Sequence, residues 1–336
     1  MPEAPDRTRW RRIARLAADA VVVATAVVLF LALAGRVVRD RTTVFALLMY
    51  LPMLPIAVAT LIALMLAMAR RRRVTSKPLI ALVGMAVLAA GWNILDMTGR
   101  GSATIAPHDG SLVTLMQWNV QWGGREVRPQ AWGPTASAIR GESVEIIVLN
   151  EAPAGERIAR LCADLGQTWN FVSLGHAPRS RYWYGLAVAS CWPVRLEREV
   201  ELPNGAAMSV IVEMPQRPLR VLVVDGISNP RVLRTPMLHA VARHCREEAA
   251  AGWPVDLIAG DFNAVSASLG FDSLREQQFA LASRAGRGWR GTFPSALPLY
   301  DIDHVWVSPV HRVASCRFIS SSGTNHRGQI VEVDVR

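Results

Sequence analysis

Leu16 to Ala34 forms one apolar run, and two more follow it, Thr43 to Ala69 and Pro78 to Leu95. Each reaches or nearly reaches the roughly 20 residues that a helix needs to cross a hydrocarbon core. At this length, with almost no charge inside, they do not read as helices buried in a water-soluble domain. A cleaved leader is the rival for the first run, but a leader's apolar core is shorter and is not followed by two further runs. The expectation is a membrane region over residues 1–97 with three transmembrane helices, at 16–34, 43–69 and 78–95.

Charge orients these helices. Arg7, Arg9, Arg11, Arg12 and Arg15 precede the first run, and Arg70, Arg71, Arg72, Arg73 and Lys77 separate the second from the third. The loop after the first run holds Arg36, Arg39 and Arg41, while Arg100 alone follows the third. Positive residues favour the cytoplasmic side, so the N-terminus and the second loop are expected inside. Everything after the third span is then expected outside the cytoplasmic (inner) membrane. The net charge of +10 divides the same way. Of 37 Lys+Arg and 27 Asp+Glu, residues 1–100 hold 14 and 5, which leaves 23 and 22 for the remainder. That near-neutral remainder lacks a broad electrostatic footprint for a polyanion. Arg179, Arg181, Arg231 and Arg234 are candidates for a local basic cleft, with solvated surface arginines as the ordinary reading.

Residues 98–110, rich in Gly, Ser, Thr, Pro and Asp, read as a linker. From 111 to 336 short apolar runs and helical patterns alternate. Strands are expected at 112–119, 145–150, 184–190, 194–201, 206–213, 219–225, 255–260, 303–308, 313–320 and 329–335. Helices are expected at 129–140, 155–165, 235–251 and 268–282. Such a pattern implies an α/β layered domain, and this length suffices for one. Cys162, Cys191, Cys245 and Cys316 match no metal spacing and read as buried thiols or as disulfide partners.

Several expected strands end in carboxylate or amide side chains. Met116-Gln117-Trp118-Asn119, Val148-Leu149-Asn150-Glu151, Gly260-Asp261-Phe262-Asn263 and Ile302-Asp303-His304 are four such places, and Gly323-Thr324-Asn325-His326 precedes the last strand. Taken singly, each has an ordinary reading: Gly-Asp-Phe-Asn as a turn, Asn119 and Asn263 as backbone caps, Glu151 as a solvated strand end. His304 falls on the opposite face from Asp303 by strand alternation and reads as structural. His239 and His244 read as surface groups on a helix, and Trp118 and Trp122 as packing residues.

As an ordered set over residues 110–336, these motifs resemble the endonuclease/exonuclease/phosphatase superfamily, the DNase I-like hydrolases. The resemblance implies a four-layer α/β sandwich, two packed sheets flanked by helices. It implies a hydrolase of phosphate esters that uses Mg²⁺ or Mn²⁺, a hard cation suited to carboxylate and amide oxygens. Glu151 matches the family's metal ligand, Asp261 the aspartate that orients or deprotonates the attacking water, and Asn263 the amide that donates to the phosphate. Asn119 matches the asparagine supporting this cluster and stands beside the metal. His326 matches the histidine at the scissile phosphate, and Asp303 its carboxylate partner. Asn325 occupies a place next to the metal where relatives commonly carry Asp, and no histidine stands near Ile227, where many relatives have one. Gln121 stands where some nucleases place an acidic ligand. Two readings follow. One is a membrane-anchored phosphodiesterase or nuclease-like hydrolase, in contact with the lipid bilayer through three helices, whose substrate is nucleic acid, a phospholipid headgroup or a soluble phosphate ester. The other is a catalytically weakened domain that binds a phosphorylated ligand or a partner.

Overall fold

The computed structural model describes residues 7–70, 77–101, 112–121, 131–175 and 185–336. The chain divides into two compact units, Met1–Asp96 and Met97–Arg336.

The first unit holds helices α1 (Arg7–Val38), α2 (Thr43–Met49) and α3 (Met53–Arg70), and nearly all of α4 (Lys77–Met97). By length and composition α1 and α4 are long and apolar enough to cross a membrane, and α2 with α3 passes the same test as a bent pair. The one helix expected over 43–69 is divided in two, and the halves meet at 67°. Pro52, at the break, has no N–H to give to a continuous helix. Large apolar side chains such as Val23, Phe30, Leu66 and Leu88 point outward from this unit.

The second unit begins with β1 (Thr98–Arg100) and β2 (Leu112–Asn119), followed by α5 (Trp132–Arg140), β3 (Ile146–Asn150) and α6 (Gly155–Leu165). Next come β4 (Asn170–Leu174), β5 (Leu186–Ser190), β6 (Val194–Leu202), β7 (Gly205–Glu213) and β8 (Pro218–Gly226). After α7 (Thr235–Ala250) come β9 (Leu257–Asp261), α8 (Asp272–Glu276), β10 (Ala280–Leu281) and β11 (Arg287–Trp289). The chain closes with β12 (Asp303–Val307), β13 (Arg312–Ile319) and β14 (Gly328–Asp334). One six-stranded sheet runs β13-β14-β2-β3-β5-β4 and the other β10-β12-β9-β8-β7-β6. Each has one parallel pair, β2 with β3 and β8 with β9, and all its other neighbours are antiparallel. The connections within the parallel pairs carry α5 and α7, since a parallel neighbour needs a crossover.

Period-two alternation decides which residues meet between the sheets. Leu115, Val148, Val188 and Val331 from one sheet face Val210, Val221, Ala259 and Val305 from the other. Each fully buried Val or Leu among them contributes about 1.5–3 kcal/mol of hydrophobic stabilisation. The outer faces are covered by helices. Ile139, Ile158 and Leu161 pack on Met116, Trp118 and Ile147, and Leu238, Val241 and Leu274 pack on Leu222, Ile258 and Trp306. The result is the expected order of layers, helix–sheet–sheet–helix.

Local departures have local causes. The helix expected over 268–282 is a 3-10 turn, Leu269–Phe271, then the short α8, then β10. Gln278 adopts a left-handed backbone (φ 62°) that stops the helix, and Ala280 and Leu281 then pair with Val307 and Trp306. The first residues of the expected linker form β1, which pairs with β11, while residues 102–110 lie outside the described residues. The four cysteines are free thiols, Cys245 and Cys316 each pushed up to about 12 mainly by burial.

Candidate active site

At one end of the sandwich the same alternation that builds the apolar core turns polar. On sheet two, Asp225, Asp261 and Asp303 are register partners on three neighbouring strands, so their side chains share the inner face. Each continues a core series: Val221–Val223–Asp225, Leu257–Ala259–Asp261, and Val307–Val305–Asp303. Opposite them, the first sheet ends its inner face in amides: Gln117 and Asn119 on β2, Asn150 on β3 and Gln329 on β14. All seven are buried. Acids on one sheet therefore meet amides on the other.

The pairing is specific. Asn119 Nδ2 donates to Glu151 Oε1 (3.1 Å) and to Asp261 Oδ2 (2.9 Å). Asp261 Oδ1 accepts the backbone N–H of Asn263 (2.8 Å), and Asn263 Nδ2 donates to Gly226 O (2.9 Å). His326 Nδ1 lies 2.9 Å from Asp303 Oδ2 and 4.0 Å from Asp261 Oδ2. Gln117 Nε2 donates to Asn150 Oδ1, and Gln329 Nε2 to the backbone oxygen of Asp303. Thr324 Oγ1 donates to Asn119 O (2.8 Å) and accepts the N–H of His326, so the last loop is tied to the end of β2. Trp118 Nε1 donates to His326 O (3.0 Å), a positioning contact from a residue expected only to pack.

Three residues just past these strand ends have left-handed backbones: Gln121 (φ 45°), Glu151 (φ 46°) and Asn263 (φ 47°). Such conformations cost non-glycine residues about 1–2 kcal/mol and gather where a site fixes its side chains. Gly260 meets a different demand. Its φ is 154°, and a Cβ there would lie 1.9 Å from Val224 O, so only glycine lets β9 run this close to β8 beside Asp261.

The electrostatics follow from four acids and one base in a dry place. Burial, and then the nearby Asp303, push the Asp261 carboxyl up to about 7, against the opposing pull of His326 and the hydrogen bonds from Asn263 and Asn119. Burial also raises Glu151. Asp225 is raised well above the ordinary range by burial and then by Asp261 and Glu151, and its Oδ2 is buried with no hydrogen-bond partner. Burial alone would lower the His326 imidazole, but Asp303, Asp261 and Glu151 outweigh it and hold the ring up near 9. Among the described residues no lysine or arginine pairs with these acids. Asp261, Asp303 and His326 each offer a ligand atom within 4.8 Å of the others. Four acids against the single His326 cation, with one carboxylate oxygen orphaned, form an oxygen-rich donor set that fits a hard divalent ion.

These shifts carry a pH dependence for the metal-free protein. Asp261 keeps its proton to about pH 7 in the folded state and releases it near 3.8 when unfolded, so its contribution is full on the acid side and is lost as pH rises between the two. His326 has a folded value near 9 against 6.5 unfolded, so its contribution is full below 6.5 and is lost as pH rises through 9. In chelator, Tm should fall from pH 5 to pH 9, and added Mg²⁺ should restore most at the alkaline end. A Tm flat across that window would contradict the assignment of these shifts.

The expected residues are distributed as follows. Asn119, Asp261, Asp303 and His326 converge, Glu151 reaches the group through Asn119, and Asn263 flanks it through its backbone. Asn325 is exposed; its N–H donates to Gln121 Oε1 (3.0 Å), its carbonyl accepts from Ser295 N (2.6 Å), and no side-chain hydrogen bond joins it to the cluster. His304 faces outward among Phe262, Phe271 and Trp306. His244 is buried, not on the surface. Arg234 is buried too, its guanidinium held by the carbonyls of Asn263, Asn229 and Val232, so it is not part of an open basic cleft. Arg179, Arg181 and Trp122 lie outside the described residues. Asp225, Gln117, Asn150 and Gln329 were missed. Their signal was present: each continues the inner-face spacing of its own strand.

A family model described as the endonuclease/exonuclease/phosphatase family matches residues 116–326. Among solved structures, a protein of that description from Bacteroides thetaiotaomicron is 13% identical, with 69% of this chain and 100% of that one covered at a TM-score of 0.54. The human Nocturnin catalytic domain with bound sulfate is 13% identical, with 68% and 95% covered and a TM-score of 0.52. A mannosyl-6-phosphatase of Bacteroides thetaiotaomicron is 13% identical, with 66% and 99% covered and a TM-score of 0.52. At such identities these structures speak to the fold alone. No curated protein matches the chain.

Proposed function

The chain belongs to the endonuclease/exonuclease/phosphatase family, and from that premise we propose that it is a membrane-anchored, divalent-metal-dependent phosphoesterase working outside the cytoplasm. One observation carries the hydrolytic reading. A buried Asp303–His326 pair faces Asp261 in a carboxylate cluster that has no lysine or arginine partner among the described residues. A neighbouring fold that hydrolyses a sugar phosphate and another that holds sulfate are in keeping with a phosphoester substrate.

The residues divide the work. Asp261, oriented by Asn119 and the Asn263 N–H, takes a proton from the attacking water. A base with a pKa near the working pH suits this step. The water oxygen bonds to phosphorus and the bond from phosphorus to the leaving oxygen breaks. His326, with Nδ1 engaged by Asp303, has Nε2 available to give its proton to that leaving oxygen. Asp303 fixes the ring and favours its protonated form. A Mg²⁺ or Mn²⁺ ion held by Glu151, with Asn119 and Asp261 beside it, would neutralise the phosphoryl and leaving oxygens.

The test is hydrolysis of a bis-aryl phosphate ester by the full chain in detergent, with Mg²⁺, with Mn²⁺ and with chelator. Turnover above background that vanishes in chelator is expected. Background rates under all three conditions would replace the enzyme with a domain that binds a phosphorylated ligand. Topology is tested separately. The arginines at 7–15 and 70–73 support a C-terminal unit outside the cytoplasm. Protease added to cells with a permeabilised outer layer should remove that unit, and protection until lysis would overturn the placement.

A further inference from the structure

Helix α7 ends at Ala250, and the outer face of the second sheet continues past it. The strand register shows what lies there. Arg195 on β6 stands opposite Ile211 on β7, and Ile211 opposite Arg220 on β8. Ile211 and Arg220 alternate with Val210, Val212 and Val221, which face the core, so this row lies on the outer face. Beyond the helix the row floors a cavity of about 520 Å³, within the size range of small-molecule sites.

The end of α7 builds one wall. Gly252 takes a left-handed backbone (φ 84°) that reverses the chain, and the Trp253 N–H then donates to Glu248 O (2.8 Å). Trp253 is 61% exposed, and no large apolar side chain described in the second unit is more so. One face of its ring is covered by the Arg220 guanidinium, 5.1 Å from the ring centre, and the exposure leaves the other face to solvent.

Four arginines border the cavity, each beside an acid. Arg195 Nε donates to Glu213 Oε1 (3.0 Å), Arg198 Nη2 to Glu248 Oε2 (2.9 Å), Arg220 Nη1 to the same Glu248 oxygen (3.1 Å) and Arg217 to Asp256. These acids offset the bulk charge, so what the cavity offers an anion is aimed donors. Arg195 and Arg198 make no further side-chain hydrogen bond among the described residues, and their side chains are 58% and 48% exposed. Each keeps guanidinium N–H groups open to water, in the fork arrangement that takes a phosphate through paired bonds. Arg220 and Asp225 are five residues apart on β8, about 17 Å at the rise of a strand, so the cavity is distinct from the catalytic end.

We propose that this cavity is a second ligand site, for a nucleoside phosphate, in which Trp253 stacks the base and Arg195 and Arg198 hold the phosphate. An open tryptophan face and open guanidinium forks together recognise a planar ring and an anionic group carried by one small molecule. The site does not depend on the reaction assigned to the other end of the sandwich.

Calorimetry on the full chain in detergent tests this, with AMP, adenosine and inorganic phosphate as probes and chelator throughout. Without a cation, the buried acids of the catalytic end repel a phosphate, which suppresses binding there. AMP should bind at one site per chain and more tightly than adenosine or phosphate. Trp253→Ala should weaken AMP binding by roughly 5- to 150-fold, the usual effect of losing one stacked base, and Trp253→Phe should keep most of the affinity. Arg195→Gln with Arg198→Gln should weaken AMP binding about tenfold or more and leave adenosine unchanged. All of these variants should unfold at the parental Tm, because the altered side chains are exposed and surface ion pairs add little. Absence of AMP binding would overturn the proposal. So would adenosine or phosphate bound as tightly as AMP, or an AMP affinity indifferent to Trp253→Ala.

Discussion

His326→Ala is expected to slow metal-dependent turnover by about 10²–10⁴-fold, the usual effect of removing a positioned proton-transfer group. Asp303→Asn should act through the same step, because the structure gives Asp303 one main task, holding Nδ1 of His326 at 2.9 Å. The double variant should therefore be little slower than His326→Ala alone, since groups that act as a unit are not additive. Additive losses would mean that Asp303 works independently, and a His326→Ala enzyme at parental rate would remove the histidine from the mechanism. The variants should remain folded. Asp303 also receives support through its backbone, from Gln329 and Thr292, and these bonds survive a side-chain change.

The second large effect concerns the cation. Glu151→Gln keeps size and hydrogen bonding but removes the charge, and calorimetric Mg²⁺ affinity should fall by about 100-fold or more, beyond the 10–100-fold typical of residues that only support a ligand. The same change has an opposite signature without metal. Burial already disfavours the ionised Glu151 carboxylate, so the neutral amide should leave metal-free Tm unchanged or higher. Unchanged Mg²⁺ affinity would remove Glu151 from the ligand set. A large fall in metal-free Tm would show that the residue serves the fold.

The strands were legible because each central one holds a short apolar run, rich in Val, Ile and Leu, that is largely buried on both faces. β2, β3, β8, β9 and β12 lie where those runs lie. Edge elements carry no such run: β4 has only Phe171, Val172 and Leu174 as apolar residues beside exposed Asn170 and Ser173, and β10 and β11 are too short to show a period. β1 was hidden by composition, since Thr98-Gly99-Arg100 looks like linker and becomes a strand only because Trp289 and Arg287 stand opposite. In the site, Asp261 stood out as the acid that closes an apolar run, and His326 as the histidine in the loop before β14. Gln117, Asn150, Asp225 and Gln329 lay at or inside strand ends and were counted with them. Their role depends on which residues face them from the other sheet, a distance relation no single run records. The membrane segment behaved likewise: hydropathy marked 43–69, and the bend at Pro52 appears only in the backbone.

The division of the site into acids on one sheet and amides on the other bears on how the protein comes to be folded. A half-formed sandwich with only the second sheet in place would carry three aspartates in a row with nothing to separate their charges. One with only the first sheet would carry Glu151 and the amides, without the aspartates that complete the cluster. High-affinity cation binding at the proposed site would thus be a property of the docked pair. A metal-sensitive signal during refolding would report closure of the two sheets rather than formation of either, and free Mg²⁺ would act late, by slowing reopening.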